Sequence, residues 1–171
     1  MSYPLNKVSK QILEDRLNDE LVAFYTYWYL SMCCQLSGYY KASDYFEKES
    51  HDEKCHAKMI TEYMLGRGEE TELPKLDQPE VNFTDLKDAI NLALKMEIDL
   101  AKRYEKSIKE SLESGDIMTF NFLMRYLDIQ KESIKELSEK QTIFAKLDEE
   151  EDQREAEQFA FEDKPTVDVK S

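Results

Sequence analysis

The chain is poor in residues that break or bend helices. It holds four glycines and four prolines in 171 residues, which excludes the frequent tight turns of an all-β protein and the Gly/Pro-rich runs of a low-complexity one. Cysteine is scarce as well. Cys33, Cys34 and Cys55 make three, two of them adjacent on a helix and unable to bridge each other without strain, so no disulfide framework is implied. None forms a Cys-x-x-Cys pair, and they are not read as metal ligands. Positive charge is in deficit: 23 Lys and Arg against 37 Asp and Glu leave a formal charge of −14. Such a surface repels nucleic acid and anionic lipid and raises the local concentration of small cations. The most apolar run, Leu21 to Cys34, is about fourteen residues long and is interrupted by Thr26 and Ser31, against about twenty needed to cross a bilayer. No membrane helix is expected. The N-terminus Met1-Ser2-Tyr3-Pro4 resembles no targeting signal, and free thiols agree with a reducing compartment, so the cytoplasm is the expected location.

What is abundant is Leu, Ala, Glu, Lys, Met and Gln in long uninterrupted stretches, the composition of long helices. The expected fold class is all-α. Apolar residues at 3.6-residue spacing predict a first helix from Ser9 to Ser37 ended by Gly38, and a second from Lys41 to Leu65 stopped by Gly66-Arg67-Gly68. A third is expected from Thr84, as N-cap, to Glu113. A fourth follows the turn Ser114-Gly115-Asp116 and runs to Lys146. Asp148 and Glu151 read as the cap of a short charged fifth helix carrying Phe159 and Phe161. A single domain is expected over 1–164, with 165–171 as a disordered tail.

Between Gly66 and Asn82 lies a polar stretch with Pro74 and Pro79. Its length, about sixteen residues, reaches about 50 Å when extended, and a helix of about twenty-five residues is about 38 Å long. The stretch can therefore travel back along the whole bundle and set the third helix parallel to the second. Short turns make the other neighbours antiparallel. The result is a four-helix bundle with one long crossover.

Each helix carries one or more polar residues in the row that should be apolar. In the first helix Glu20 interrupts Leu13, Leu17, Phe24, Tyr27, Ser31 and Cys34. In the second, Glu49, Glu53 and His56 stand among Tyr45, Ile60 and Tyr63. Glu97 is the odd member of Leu86, Ile90, Ala93, Leu100, Tyr104 and Ile108, and Gln130 that of Leu123, Tyr126, Ser133, Leu137 and Phe144. Counted from the helix ends, Glu20, Glu53, Glu97 and Gln130 lie about eleven to fourteen residues in, so an antiparallel packing brings them to one depth. Glu53 and His56, three residues apart, project from one helix face. Ionisable groups in a bundle core are costly unless paired or bound to a cation, and no Lys or Arg occupies the core rows. Converging carboxylates with one histidine suggest a dinuclear iron centre. His51, two positions from Glu53, points elsewhere and reads as a solvated surface residue. Tyr25, Trp28 and Tyr29 leave the first helix apolar nearly all round, as expected if a second subunit covers it.

Several of these residues together resemble the non-haem ferritins: Glu20 with Tyr27, the stretch Glu49-Ser50-His51-Asp52-Glu53-Lys54-Cys55-His56-Ala57, Glu97, Thr119-Phe120-Asn121-Phe122-Leu123, and Tyr126 with Gln130. The similarity runs from Leu13 to Phe161. It implies that Glu20, Glu53 and His56 hold a first iron, that Glu53 bridges, and that Glu97 holds a second. Gln130 would hydrogen-bond a bound water or oxygen species beside the metal, and Tyr27 would stand next to the site. Two irons per subunit would be oxidised from Fe(II) to Fe(III) by dioxygen or hydrogen peroxide and stored as ferric mineral in a hollow homo-oligomer. The short last helix resembles the one that lines the four-fold axis of twenty-four-subunit cages.

Departures from related patterns narrow the reading. Gln130 and Ser133 stand where haem-containing bacterioferritins carry a second Glu-x-x-His, and Lys54 takes the place of their haem-ligating methionine, so no haem is expected. Of the carboxylates that build a third iron site in some bacterial ferritins, Asp52 and Glu132 have counterparts, while Ile129 and Ser133 replace acids. Phe120 and Leu123 fall where animal ferritins line a three-fold channel with acids. The alternatives are a di-iron oxidase or peroxidase on the same bundle without a storage role, and a metal-free structural bundle whose acids pair with Lys or Arg.

Overall fold

The structure, a computed structural model, describes residues 3–147 and 153–162. These form five helices: α1 (Lys7–Leu36), α2 (Tyr40–Gly66), α3 (Leu86–Glu113), α4 (Ile117–Phe144) and α5 (Gln153–Ala160). α1 starts earlier than its apolar period suggested because the Asn6 side chain accepts the Ser9 amide at 2.8 Å, satisfying a donor that the helix leaves free. α3 corrects the expected cap. Asp85, not Thr84, accepts the Asp88 amide at 2.9 Å, while the Thr84 hydroxyl donates to the Asp88 carboxylate instead. α4 ends at Phe144, and Ala145 and Lys146 form a turn. Gly38 takes φ +80°, where a side chain would be strained, and the chain reverses there with the Tyr39 amide bonded to the Cys34 carbonyl at 2.9 Å.

Helix directions follow from cross-helix hydrogen bonds. Ser43 donates to the Ser31 carbonyl and Ser50 to the Phe24 carbonyl, so α1 and α2 are antiparallel. Tyr27 reaches Glu97, Tyr104 reaches Glu20 and Arg16 reaches Ser107, so α3 also opposes α1. Gln130 to Glu97 and Gln141 to Asn91 set α4 against α3. α2 and α3 therefore point the same way, joined by the chain from Arg67 to Asp85 running the length of the bundle, as the linker length required. The fold is a four-helix bundle with one crossover and a short C-terminal helix.

The core is divided along its axis. One apolar cluster contains Leu30, Phe46, Ile90, Leu137 and Phe144, the other Leu13, Leu17, Ile60, Tyr104 and Leu123. The inward polar residues lie between them. The expected inward rows are buried in α3 throughout, whereas Phe24, Tyr45, Tyr63 and Ser133 are only half-buried.

Each end of the bundle is closed by one charged side chain. Arg67, 4% exposed, donates to the carbonyls of Tyr3 and Pro4, to the Tyr63 hydroxyl and to both carboxylate oxygens of Asp116. Burial pushes the Asp116 carboxyl up, but the hydroxyl and amide of Thr119 and the Arg67 guanidinium outweigh it and hold it below its ordinary range. At the other end α2 has no side-chain cap of its own. Glu157 of α5, buried, accepts the amides of Lys41 at 2.8 Å and Ala42 at 3.1 Å, while Gln153 accepts the Lys87 amide at 3.1 Å. α5 thus supplies the missing cap of α2, where a negative charge also favours the helix dipole. Its aromatics divide: Phe161 lies just beyond the helix and packs on Tyr45 and Phe46, whereas Phe159 is 68% exposed. The expected cap at Asp148 and Glu151, Pro165 and the tail 165–171 lie outside the described residues.

Removing Arg67 leaves Asp116 and two carbonyls without their donor. Arg67→Ala is expected to lower the free energy of unfolding by about 3–5 kcal/mol, measured by urea denaturation. A loss below about 1 kcal/mol would show that solvent replaces the clamp.

Candidate metal centre

The mid-bundle layer brings together residues from all four long helices. Glu20, Glu53 and His56 offer donor atoms that lie within 4.8 Å of one another. His56 Nδ1 is 3.1 Å from Glu53 Oε2 and 3.7 Å from Glu20 Oε2. The i, i+3 spacing on α2 delivers this pair to one face, and the Tyr126 hydroxyl, donating to the His56 carbonyl at 2.9 Å, ties α4 to that turn. Glu97 stands alongside, close enough for its carboxyl to interact with that of Glu53. The Gln130 amide nitrogen donates to Glu97 Oε2 at 2.6 Å and to the Glu97 carbonyl at 3.3 Å. Tyr27 donates to Glu97 Oε1. All six residues singled out from the sequence therefore occupy one layer. His51 is exposed and takes no part in it. Nor do Asp52 and Glu132 gather into a third group among the described residues, and Glu132 is exposed beside Lys131.

Tyr104, a core position by its spacing, belongs to the layer as well. Its hydroxyl donates to Glu20 Oε1. The arrangement is reciprocal: Tyr27 of α1 serves Glu97 of α3, and Tyr104 of α3 serves Glu20 of α1. Both pairs have the spacing Glu-x6-Tyr, two helical turns, so in antiparallel helices each tyrosine falls opposite the other helix's glutamate. That repeated spacing was the legible signal.

The charges are not balanced. Glu20, Glu53 and Glu97 are all at most 1% exposed, and among the described residues none forms an ion pair with Lys or Arg. Burial pushes the Glu53 carboxyl well above its ordinary range, reinforced by its hydrogen bond to Glu20 and the charges of Glu20, Glu97 and Glu49. Glu97 is also raised by burial, against the hydrogen bonds from Tyr27 and Gln130. Burial pushes Glu20 up too, but the neighbouring Glu53 carboxyl and His56 ring and the hydrogen bond from Tyr104 prevail and hold it low. Burial lowers His56, yet the Glu20 contact and charge raise it overall. One turn earlier, Glu49 is raised to about 7 by burial and by the charges of Glu136, Asp52 and Glu97. Two buried atoms, Glu20 Oε2 and Gln130 Oε1, have no hydrogen-bond partner. A site of carboxylate oxygens and one imidazole nitrogen, with excess negative charge and orphaned oxygens, fits a divalent first-row cation.

Residues 10–146 match the family described as Ferritin-like domain. The chain belongs to the ferritin family. It is similar to proteins named bacterial non-heme ferritin from Staphylococcus haemolyticus and Staphylococcus epidermidis, each 26% identical over 128 residues, and from Staphylococcus aureus at 24% over the same length. Each likeness covers 75% of this chain and 77% of the relative. In this ferritin the helices that the match spans are the four that carry the acidic layer.

The raised carboxyls set a pH dependence. A folded-state pKa above the unfolded value means that the folded chain binds more protons, so stability falls as pH rises between the two values. For Glu49 that window runs from the ordinary 4.5 to about 7, and Glu53 and Glu97 act in the same direction. Metal-free protein is expected to melt at progressively lower temperature as pH rises through this window, and a bound divalent cation is expected to abolish the trend. Calorimetric melts with and without chelator read it. A metal-free melting temperature that climbs with pH would contradict the charge assignment.

Proposed function

We propose that this ferritin is a ferroxidase that stores iron, oxidising two Fe(II) at a centre within each subunit and depositing ferric mineral inside a hollow cage of twenty-four copies. The observation that carries the reading is the acidic layer itself, buried carboxylates converging on one histidine without a fixed basic partner. Glu20, Glu53 and His56 Nδ1 would hold the first Fe(II), Glu53 would bridge, and Glu97 would hold the second, with the free oxygen of Gln130 turned to the metal or to a water beside it.

The electron count closes without further cofactors. Two Fe(II) release two electrons, which with two protons convert dioxygen to hydrogen peroxide, or hydrogen peroxide to two waters. A carboxylate must be deprotonated to hold a cation, so at Glu53, whose carboxyl burial raises, loading competes with protons and weakens as pH falls. Tyr27 and Tyr104 orient Glu97 and Glu20 from outside the ligand set. A second site with few protein ligands leaves positions open for the oxidant and for departure of the product.

Assembly is supported by apolar surface that a lone subunit would expose to water. Trp28 and Met32 are 50% and 56% exposed on α1. With Tyr25 and Tyr29 they line a cavity of about 420 Å³ against Gln78 and Pro79 of the crossover. Exposed patches of this kind mark contacts between proteins. Among the described residues no helix is long and apolar enough to cross a membrane, and the cytoplasm is the proposed location.

Glu53→Ala is expected to abolish rapid ferrous oxidation, followed by stopped-flow absorbance, while the bundle stays folded or gains stability because a buried charge is gone. Unchanged oxidation kinetics would refute the centre. Electron microscopy of aerobically iron-loaded protein is expected to show hollow particles with dense cores. Oxidation without cores would instead favour an oxidase without a storage role.

A further inference from the structure

The three cysteines form no Cys-x-x-Cys pair, yet α2 carries a different pair on its solvent-facing side. Cys55 Sγ lies 3.8 Å from His51 Nε2. The two residues are one helical turn apart, both exposed, and Cys55 is a free thiol. We propose that His51 and Cys55 form a bidentate surface site for Zn(II), separate from the acidic layer.

Coordination geometry carries the argument. Zn–S and Zn–N bonds are about 2.3 and 2.0–2.1 Å, so two ligands at a tetrahedral angle stand about 3.6 Å apart. The observed separation therefore places sulfur and nitrogen to share one ion with little rotamer change. Both sit on the interior of a continuous helix, so the backbone loses no freedom on binding. Water would complete the shell.

The donors also decide the metal. A thiolate and an imidazole suit Zn(II), whereas the centre between the helices offers carboxylate oxygens with one imidazole, a set suited to iron. Helical spacing turns His51 and Cys55 away from Glu53 and His56, so an ion held outside is not a ligand exchange away from the inner centre. Neither His nor Cys is a strong helix former, and at two solvent-facing positions their mutual contact contributes little to packing.

The experiment reads Cys55 directly. The assembled protein is alkylated with iodoacetamide with and without micromolar Zn(II), and the peptide containing Cys55 is quantified by mass spectrometry, which keeps Cys33 and Cys34 out of the reading. Zn(II) is expected to slow modification of Cys55 about tenfold or more by occupying the thiolate. His51→Asn, at an exposed helix position, is expected to remove that protection. The Glu53→Ala protein is expected to keep it, so a failure of the iron centre and a failure of this site are separately visible. Equal protection in His51→Asn, loss of protection in Glu53→Ala, or an unprotected Cys55 in the natural protein would overturn the proposal.

Discussion

Mutual repulsion of carboxylates held out of water is the constraint around which this bundle is organised. Glu20, Glu53 and Glu97 converge between two apolar clusters, where solvent cannot screen them. The folded chain answers with hydroxyl and amide donors in place of basic side chains. Burial and its acidic neighbours raise the Glu53 carboxyl, the Glu20 contact raises His56, and two tyrosines and a glutamine donate to oxygens of Glu20 and Glu97. Those devices lower the electrostatic cost without filling the site with a fixed cation. The apolar clusters on either side supply the rigidity that keeps the acids from swinging out into water.

An approximate two-fold relation underlies the layer, and its breakdown is what gives the site two unequal halves. α1 and α3 contribute equivalent Glu-x6-Tyr units whose tyrosines exchange partners. α2 and α4 do not match: Glu53 and His56 on one side face Gln130 and Ser133 on the other. The half near α2 has a complete set of anionic and imidazole donors. The half near α4 has one carboxylate and an amide that neutralises nothing, so it offers a cation fewer charged donors.

The ends of the bundle use buried charge differently. Arg67 and Asp116 are paired and fully hydrogen-bonded, joining the N-terminal segment, the end of α2 and the start of α4. Glu157 carries its negative charge from α5 to the uncapped start of α2. Both contacts lie far from the acidic layer and keep the helices in the longitudinal register on which the meeting of Glu20, Glu53, Glu97 and Gln130 depends.

Residue order alone was enough for the helices, the crossover and the depth of the polar layer. Helical period, loop length and the cost of buried charge are local or additive, and they can be counted along a chain. It also singled out Glu20, Glu53, His56, Glu97 and Gln130, because polar residues in apolar rows are visible one helix at a time, while Tyr27 came from the resemblance to the non-haem ferritins. What it could not give were relations between residues distant in the chain. The exchange of tyrosines between Glu20 and Glu97, the Arg67 clamp on Tyr3 and Asp116, and the capping of α2 by Glu157 each depend on which side chains face one another after packing. The replacement of Thr84 by Asp85 as the α3 cap is a smaller case, since either side chain could serve and the local backbone chose. Which acids are raised and which lowered was likewise decided only by the tertiary structure, because a carboxyl's affinity for its proton depends on burial and on neighbours from other helices.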